Sequence, residues 1–412
     1  MAASLIVVTC AAIAYLAILL SKAMLALRYA ARYAARYSRP GSHLAPDSGS
    51  QVHAGRTVHT ARVVDLSAAT IVQPILSGDP DLPAALADNL ATLPDARFLW
   101  LIDEDDEEAA AIASKLRDAH PTHRIDTRVC APAPDGVNPK LFKLELARSE
   151  VTSGAFVVID DDTRVTRQGL AALLEALQTP THPHEHAHTL ATGLPCYLNR
   201  RRDLPSRLLT EFVNNNAALT YLPLLAFAGP PTINGMTYAL TPASLDAMGG
   251  FAPVSRHLAD DLAVARRMID TGGTIRQTPY PQFVATSVRD FRHYRALMHR
   301  WFLFALLLLR EHSAGWTLAI TVLHGIPPLL LWTMTIAAAI SVFAAMNTPP
   351  FAIASSVSLL CLLCVACVLA LRAATLIAVQ RRLTPQGLKL SQSATPRRRL
   401  LAISKRRIAP TS

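Results

Sequence analysis

The sequence has a long stretch that lacks charged residues altogether, because no Asp, Glu, Lys or Arg occurs from 316 to 371. Together with a charged fraction of only 17% and a mean hydropathy of +0.26, this excludes an ordinary soluble protein. A bilayer core takes about 20 apolar residues per helix. The polar turn at 347–350 divides the stretch, so we predict two membrane spans, near 326–346 and 351–371.

A second apolar stretch, 5–20, lacks a basic residue before its apolar core. A secretory signal normally has one, so we interpret the stretch as an uncleaved anchor, with a cleaved signal as the alternative. The segment after this span is rich in Lys and Arg and has no acid before Asp47. The segment after the last span is also rich in Lys and Arg and has no acid. Since basic flanks stay on the cytoplasmic side, we expect a multi-pass protein of a bacterial inner membrane or its equivalent, with a cytoplasmic central domain.

Neither a disulfide framework nor a zinc spacing is present among the six cysteines. The net charge of +10 is concentrated in the two basic flanks, without the interleaved aromatic residues of a nucleic-acid groove. We therefore expect no nucleic-acid partner, and attraction to anionic lipid head groups explains the flanks better. Alternating histidines at 182–188 lie in a proline-containing loop, where such residues are commonly incidental.

Between the membrane segments, short apolar runs alternate with helical patterns. Candidate strands fall at 71–76, 98–102 and 156–159, and candidate helices at 82–93, 109–119 and 170–177. This alternation predicts an α/β fold whose mostly parallel sheet is covered by helices on both faces. Ligands of such sheets bind outside the carboxyl ends of the strands.

The expected order of segments follows from these patterns. Residues 289–310 start charged, become apolar and end at an arginine, which predicts a helix lying in the membrane interface rather than a span. The predicted segments are an anchor with its basic flank (1–40), a linker (41–60), the α/β domain (61–290), the interfacial helix (291–312), the C-terminal spans (313–380) and a basic tail (381–412).

Three adjacent carboxylates, Asp160, Asp161 and Asp162, follow directly after a candidate buried strand. Residues two apart on an extended chain point the same way, so Asp160 and Asp162 can share one face. Carboxylate oxygens suit Mg²⁺ or Mn²⁺, and such a metal would neutralise a diphosphate leaving group. A solvated acidic loop is the alternative.

Two further acidic groups stand at element boundaries. Asp103 and Glu104 end a candidate strand and could hydrogen-bond a base or ribose, whereas the acids at 106–108 suit the first turn of the following helix. Asp260 and Asp261 open a helix that runs to about residue 270. Both a helix-capping role and a general-base role are open for this pair.

These groups belong to five motifs in a recognisable order: Gly136–Lys140, Ile159–Val165, Asn234–Thr237, Leu258–Asp261 and Arg300-Trp301. In that order they resemble a ceramide glucosyltransferase-type enzyme, a membrane-anchored, inverting GT-A glycosyltransferase of the family 2 and 21 type. The resemblance covers roughly residues 65–305. It implies a metal-dependent hexosyltransferase that moves a sugar from a nucleotide-sugar, most simply a UDP-sugar, to the hydroxyl of a membrane lipid.

The resemblance also implies residue roles. Asp261 would be the base that deprotonates the acceptor, and Asp160 and Asp162 would bind the metal. The donor nucleotide and its diphosphate would be contacted by seven residues: Asp103, Glu104, Lys140, Asp160, Asp260, Arg300 and Trp301.

Two positions depart from the family pattern. Leu297 stands where the last motif has Gln or Arg, and Glu104 stands where Asp is usual. Leu297 leaves open a catalytically silent membrane scaffold. A polysaccharide synthase is a second alternative, although it would need an intact last motif and more spans.

Overall fold

The computed structural model describes residues 2–37, 64–178, 188–199, 203–226, 229–285, 288–310, 313–347 and 351–383. The predicted linker at 41–60, the histidines at 182–186 and the basic tail from 384 onwards lie outside these residues.

A mixed sheet forms the centre of the molecule. Within the described residues it has eight strands, β1 to β8: Ala69–Ile75, Arg97–Asp103, Arg124–Cys130, Ala155–Ile159, Thr163–Val165, Thr189–Leu198, Thr237–Leu240 and Thr274–Ala285. Their spatial order is β3-β2-β1-β4-β7-β6-β8-β5. Four of the seven neighbouring pairs are parallel, including the whole of β3-β2-β1-β4, and β7 runs antiparallel to both neighbours. The mostly parallel sheet is therefore confirmed, with an antiparallel portion that the sequence patterns did not indicate.

Helices connect the strands and continue into the apolar segments. In chain order they are α1 to α13: Ala2–Tyr37, Leu82–Thr92, Glu107–Ala119, Pro139–Ala147, Arg167–Gln178, Leu204–Asn216, Leu222–Leu224, Pro242–Ala247, Asp260–Asp270, Phe291–Arg310, Ala314–Ile320, Ile326–Met346 and Phe351–Leu383. Single π-helical turns occupy Ala217–Tyr221 and Thr321–Gly325. The predicted strands and helices recur with ends shifted by a few residues. β1 ends at Ile75 rather than 76 because the Leu76 N–H donates to the Asp161 carboxylate, 2.9 Å away.

Strand β4 shows why both faces of the sheet are covered. All five of its residues are buried. Val157 and Ile159 belong to an apolar cluster with α2 and α5, while Phe156 and Val158 belong to a second cluster with α4 and α9. Because side chains alternate across a strand, a continuous apolar run is what a strand covered on both faces requires.

Among the described residues, three segments are long and apolar enough to cross a membrane: Ala2–Arg32, Ala314–Met346 and Ser356–Val379. One precedes the sheet and two follow it, as predicted. The second segment includes α11, the π-helical turn and α12. Pro327 follows the π-helical turn and has no N–H to offer the preceding turn, and the carbonyl of Leu323 there accepts from Lys22 instead.

The membrane-length helices are joined to the sheet domain by polar contacts. Lys22 Nζ on α1 donates to the Leu323 carbonyl at 3.1 Å and lies 3.0 Å from His324 Nδ1. Thr220 Oγ1, in the first π-helical turn, also lies 3.1 Å from His324 Nδ1. The Tyr29 hydroxyl on α1 donates to the carbonyl of Gln277 in β8. These contacts fix α1 against both the C-terminal helices and the sheet.

Candidate active site

The acid triplet forms a turn between two strands. β4 ends at Ile159, the Asp160 N–H donates to the Met236 carbonyl at 2.9 Å, and the Thr163 N–H donates back to the Asp160 carbonyl at 3.0 Å. Asp162 accepts the Thr163 hydroxyl at 3.0 Å. Asp161 is bound by the backbone N–H of Leu76, whereas the contacts of Asp160 and Asp162 are with the side chains of Lys140 and Thr163.

Lys140 brings three of the sequence motifs together. Its Nζ lies 2.7 Å from Asp160 Oδ1 and 3.0 Å from Asp260 Oδ2, and it donates to the Gly235 carbonyl at 2.8 Å. Asn138 caps α4 by accepting the Lys140 N–H at 3.0 Å. The cap positions Lys140 in the first turn of α4, facing the end of β4.

The pair Asp260 and Asp261 forms the first two residues of α9. The N-cap position belongs to Ala259, and no side chain caps this helix end. Asp260 contacts Lys140, while Asp261 Oδ1 accepts the adjacent Leu262 N–H at 2.8 Å. Neither acid is therefore the N-cap, although Asp261 satisfies one first-turn N–H of α9, and Asp260 is directed toward the acid triplet through Lys140.

Burial and mutual repulsion perturb these carboxyl groups. Burial and, to a smaller extent, the charges of Asp160 and Asp161 together raise the pKa of Asp162 to about 7. Burial raises the pKa of Asp261 to about 6, with Asp260 adding to the shift. Burial also raises the pKa of Asp160, although Lys140 opposes this. A bound cation would stabilise the ionised form of these carboxyl groups.

The pKa of Lys140 is also raised, which in a lysine favours the charged form. Burial by itself lowers its pKa, but the carboxylates of Asp160 and Asp260 outweigh burial and hold that pKa well above its usual value. The ammonium group is therefore charged throughout the physiological pH range.

Arg300 and Trp301 lie on α10, which contacts α6 and β6 through aromatic rings. The Trp301 ring is stacked on Phe212 with centroids 6.0 Å apart and meets Tyr197 edge to face at 6.4 Å. Burial raises the pKa of Tyr197, the charges of Asp162 and Asp160 raise it further, and Arg300 lowers it. Tyr197 thus links the α10 motif to the acid triplet.

Leu297 packs in the apolar cluster that contains Tyr197, Phe212 and Trp301. In this chain, the first position of the last motif therefore contributes an apolar side chain to the cluster on which Trp301 also packs.

Asp103 and Glu104 stand apart from the Lys140 contacts. Asp103 Oδ2 is paired with Lys143 Nζ at 2.7 Å, and the Glu104 N–H donates to the Cys130 carbonyl at 3.0 Å. Asp106 caps α3, as the sequence predicts for this helix start, and also accepts the Ser77 N–H at 2.8 Å. Both β2 and β4 end at the same sheet edge, because they run parallel to β1 on either side of it.

Three tyrosines that no sequence pattern indicated lie near the carboxylates. Burial raises the pKa of Tyr221 to about 12, and the Asp261 charge contributes. Tyr238 is buried beside Lys140 and Asp260, and its hydroxyl has no hydrogen-bond partner among the described residues. Tyr197, described above, is the third. They come from β6, a π-helical turn and β7, and no spacing in the sequence connects them to the acids.

A divalent metal fits this donor set only together with a substrate. In the described part of the chain, no three His, Cys, Asp or Glu side chains could hold a metal by themselves. Mg²⁺ is usually bound by one or two carboxylates plus substrate phosphates and water. Asp160 and Asp162 match that pattern, and the raised pKa of Asp162 marks a place where a cation would relieve repulsion.

The described residues thus combine an α/β domain, which has acidic residues at its strand ends, with three membrane-length helical segments. The family model for glycosyl transferase family 21 matches residues 48–395, so the chain belongs to this family and is a glycosyltransferase. The resemblance stated above is thereby confirmed, and the match together with the observed sheet confirms the predicted GT-A-type architecture. No curated protein matches the chain.

Among solved structures, a mannosyltransferase from Pyrobaculum calidifontis in complex with GDP-Man and Mn²⁺ is similar at 18% identity and a TM-score of 0.44, over 91% of this chain and 99% of that one. A GalNAc-T7 structure with UDP, GalNAc and Mn²⁺ is similar at 9% identity and a TM-score of 0.37, over 53% of this chain and 43% of that one. Since both TM-scores lie below 0.5, neither likeness identifies a donor or a metal for this chain.

Proposed function

We propose that this protein transfers a sugar from a nucleotide-sugar, most simply a UDP-sugar, to the hydroxyl of a membrane lipid with inversion at the sugar carbon. The observation that carries the proposal is the convergence on Lys140 Nζ of Asp160, at 2.7 Å, and Asp260, at 3.0 Å. Lys140 thereby joins the end of β4 to the start of α9. A donor bound at the end of β4 would lie next to a base at the start of α9.

The donor half of the site would hold the leaving group. Asp160 and Asp162 would bind Mg²⁺ or Mn²⁺ together with the diphosphate, and the metal supplies charge neutralisation when bound. Two cations would contact diphosphate oxygens: Lys140, which is paired with Asp160, and Arg300, whose charge acts on Tyr197. The remaining donor contacts that we propose come from four residues: Asp103, Glu104, Asp260 and Trp301.

Asp261 would act as the general base toward the acceptor hydroxyl. A base works best when its pKa lies near the operating pH, and burial raises the pKa of Asp261 to about 6. It is mostly ionised at neutral pH, yet basic enough to accept a proton as the new glycosidic bond forms. Lys140 forms its ion pair with the neighbouring Asp260 rather than with the carboxylate of Asp261.

The acceptor would reach the site from the membrane. α10 carries exposed Phe302, Leu303 and Leu306, which suits a helix lying in the interface at head-group depth. A lipid hydroxyl could then enter the cleft beside Trp301 without leaving the bilayer. The basic flanks favour a cytoplasmic catalytic domain, where nucleotide-sugars would meet it.

The proposal can be tested with membranes that contain the full chain. They are incubated with a panel of labelled nucleotide-sugars and Mg²⁺ or Mn²⁺, and lipid-extractable label is measured. Asp261→Asn and Asp160→Ala should each abolish labelling, whereas Asp270→Asn should not, because Asp270 lies at the other end of α9 in an exposed pair with Arg266. Labelling that persists in both site variants would overturn the mechanism. A protein that labels no lipid with any donor would instead support the scaffold alternative.

A further inference from the structure

The Lys140 ammonium occupies the position of a bound cation. A lysine has three N–H donors, and the structure provides three oxygens for them, one each from Asp160, Asp260 and Gly235, at 2.7, 3.0 and 2.8 Å. The side chain of Lys140 is only 21% exposed. A fully coordinated ammonium therefore lies between two carboxylates that would otherwise repel each other.

The two proposed metal ligands, Asp160 and Asp162, differ in their contact with Lys140. Asp160 Oδ1 is paired with Lys140, whereas no salt bridge to Asp162 is formed within the described residues. A divalent cation bound through both carboxylates would therefore share Asp160 with Lys140, and the positive charge of the ammonium group would repel it. A diphosphate removes this conflict, because its oxygens offer the ammonium group new partners of the same charge-assisted kind.

We propose that Lys140 is an internal cation that keeps Asp160 from the metal until a nucleoside diphosphate draws the ammonium away. Metal and nucleotide then bind with positive coupling, because each removes an obstacle to the other. When the diphosphate leaves, Lys140 returns to Asp160 and Asp260 and weakens metal binding. This inference rests on the proposed metal site at Asp160 and Asp162.

The first experiment measures Mn²⁺ affinity without nucleotide, by electron paramagnetic resonance of free Mn²⁺, on the full chain in neutral nanodiscs. Lys140→Met keeps the length of the side chain and removes the charge, and we expect Mn²⁺ to bind at least tenfold more tightly. Lys140→Arg keeps the charge and should bind Mn²⁺ as weakly as the wild type. The matched control is Lys143→Met, which removes a charge from the same helix but from the pair with Asp103, and should leave Mn²⁺ affinity unchanged.

The second experiment adds UDP as the probe for the diphosphate. In the wild type, saturating UDP should raise Mn²⁺ affinity strongly. In Lys140→Met the enhancement should be at least tenfold smaller, because no ammonium remains to be displaced. Thermal unfolding provides an independent measurement: Lys140→Met should lose stability without metal and regain more of it than the wild type does when Mn²⁺ is added.

The outcomes separate this inference from the proposed function. Equal Mn²⁺ affinities for the wild type and Lys140→Met, with binding that Asp162→Asn removes, would overturn the role of Lys140 but leave the metal site intact. If neither protein bound Mn²⁺ with or without UDP, both the metal site and the inference would be wrong.

Discussion

The Cβ that Gly235 lacks would lie 3.0 Å from the Cβ of Asp261. This is tighter than nine in ten Cβ contacts in folded proteins, so Asp261 would have to move by a few tenths of an ångström to accept a side chain there. The backbone of Gly235 also supplies a carbonyl to Lys140, so it contacts both halves of the proposed site. A glycine at this position allows α9 to begin against the loop before β7.

Gly235→Ala should therefore displace Asp261 and lower kcat at least tenfold, because a general base must stay within hydrogen-bond reach of the proton it removes. The measurement is steady-state transfer to lipid, with donor KM determined in parallel. Gly229→Ala is the control, since a Cβ there meets no atom within 4 Å. A normal kcat for Gly235→Ala would contradict the placement of Asp261 beside the reacting hydroxyl.

The pH dependence of transfer should report Asp261. Its pKa is raised to about 6, and only the ionised form can accept a proton, so kcat/KM should rise with pH and level off above about 6. Below that value the rate should fall about tenfold per pH unit. Saturating Mn²⁺ is needed, because a bound divalent cation keeps neighbouring carboxyl groups ionised. A profile that stays flat down to pH 4.5 would exclude Asp261 as the base.

At neutral pH, Asp162 should lower the free energy of unfolding of the metal-free protein. Its pKa lies near 7 when folded and near 3.8 when unfolded. The folded state therefore holds more protons between these values, and stability falls as pH rises from about 4 to 7. Asp162→Asn should raise the melting temperature of the metal-free protein at pH 7.5 by a few degrees and should abolish stabilisation by Mn²⁺ with UDP. A lower melting temperature for this variant would show that Asp162 is not repelled by its neighbours.

Leu297→Gln would restore a residue that the family uses at this position, but we expect a loss of stability. The side chain packs among Tyr197, Phe212 and Trp301, and a partly buried amide without a partner costs about 1–3 kcal/mol. Thermal unfolding of the full chain should show the decrease, and Leu297→Met should be close to the wild type because it keeps an apolar side chain of similar volume. Higher activity of Leu297→Gln at unchanged stability would indicate a polar role for this position.

The sequence alone predicted those features that depend on local patterns. Apolar runs at 156–159 and 98–102 indicated buried strands because a strand covered on both faces must be apolar at every position. The uncharged stretch at 316–371 indicated two membrane-length helices because a bilayer core excludes charge. The motif order further allowed the family to be named before any contact between the motifs was known.

Only the tertiary structure decided which residues meet. Lys140 and Asp260 are 120 positions apart and form an ion pair because α4 and α9 pack on the same face of the sheet. Tyr197, Tyr221 and Tyr238 join the acids through strand order and a π-helical turn, neither of which follows from periodicity. Long-range contacts depend on how the whole chain packs, whereas hydrophobic patterns record only which side of each element is buried.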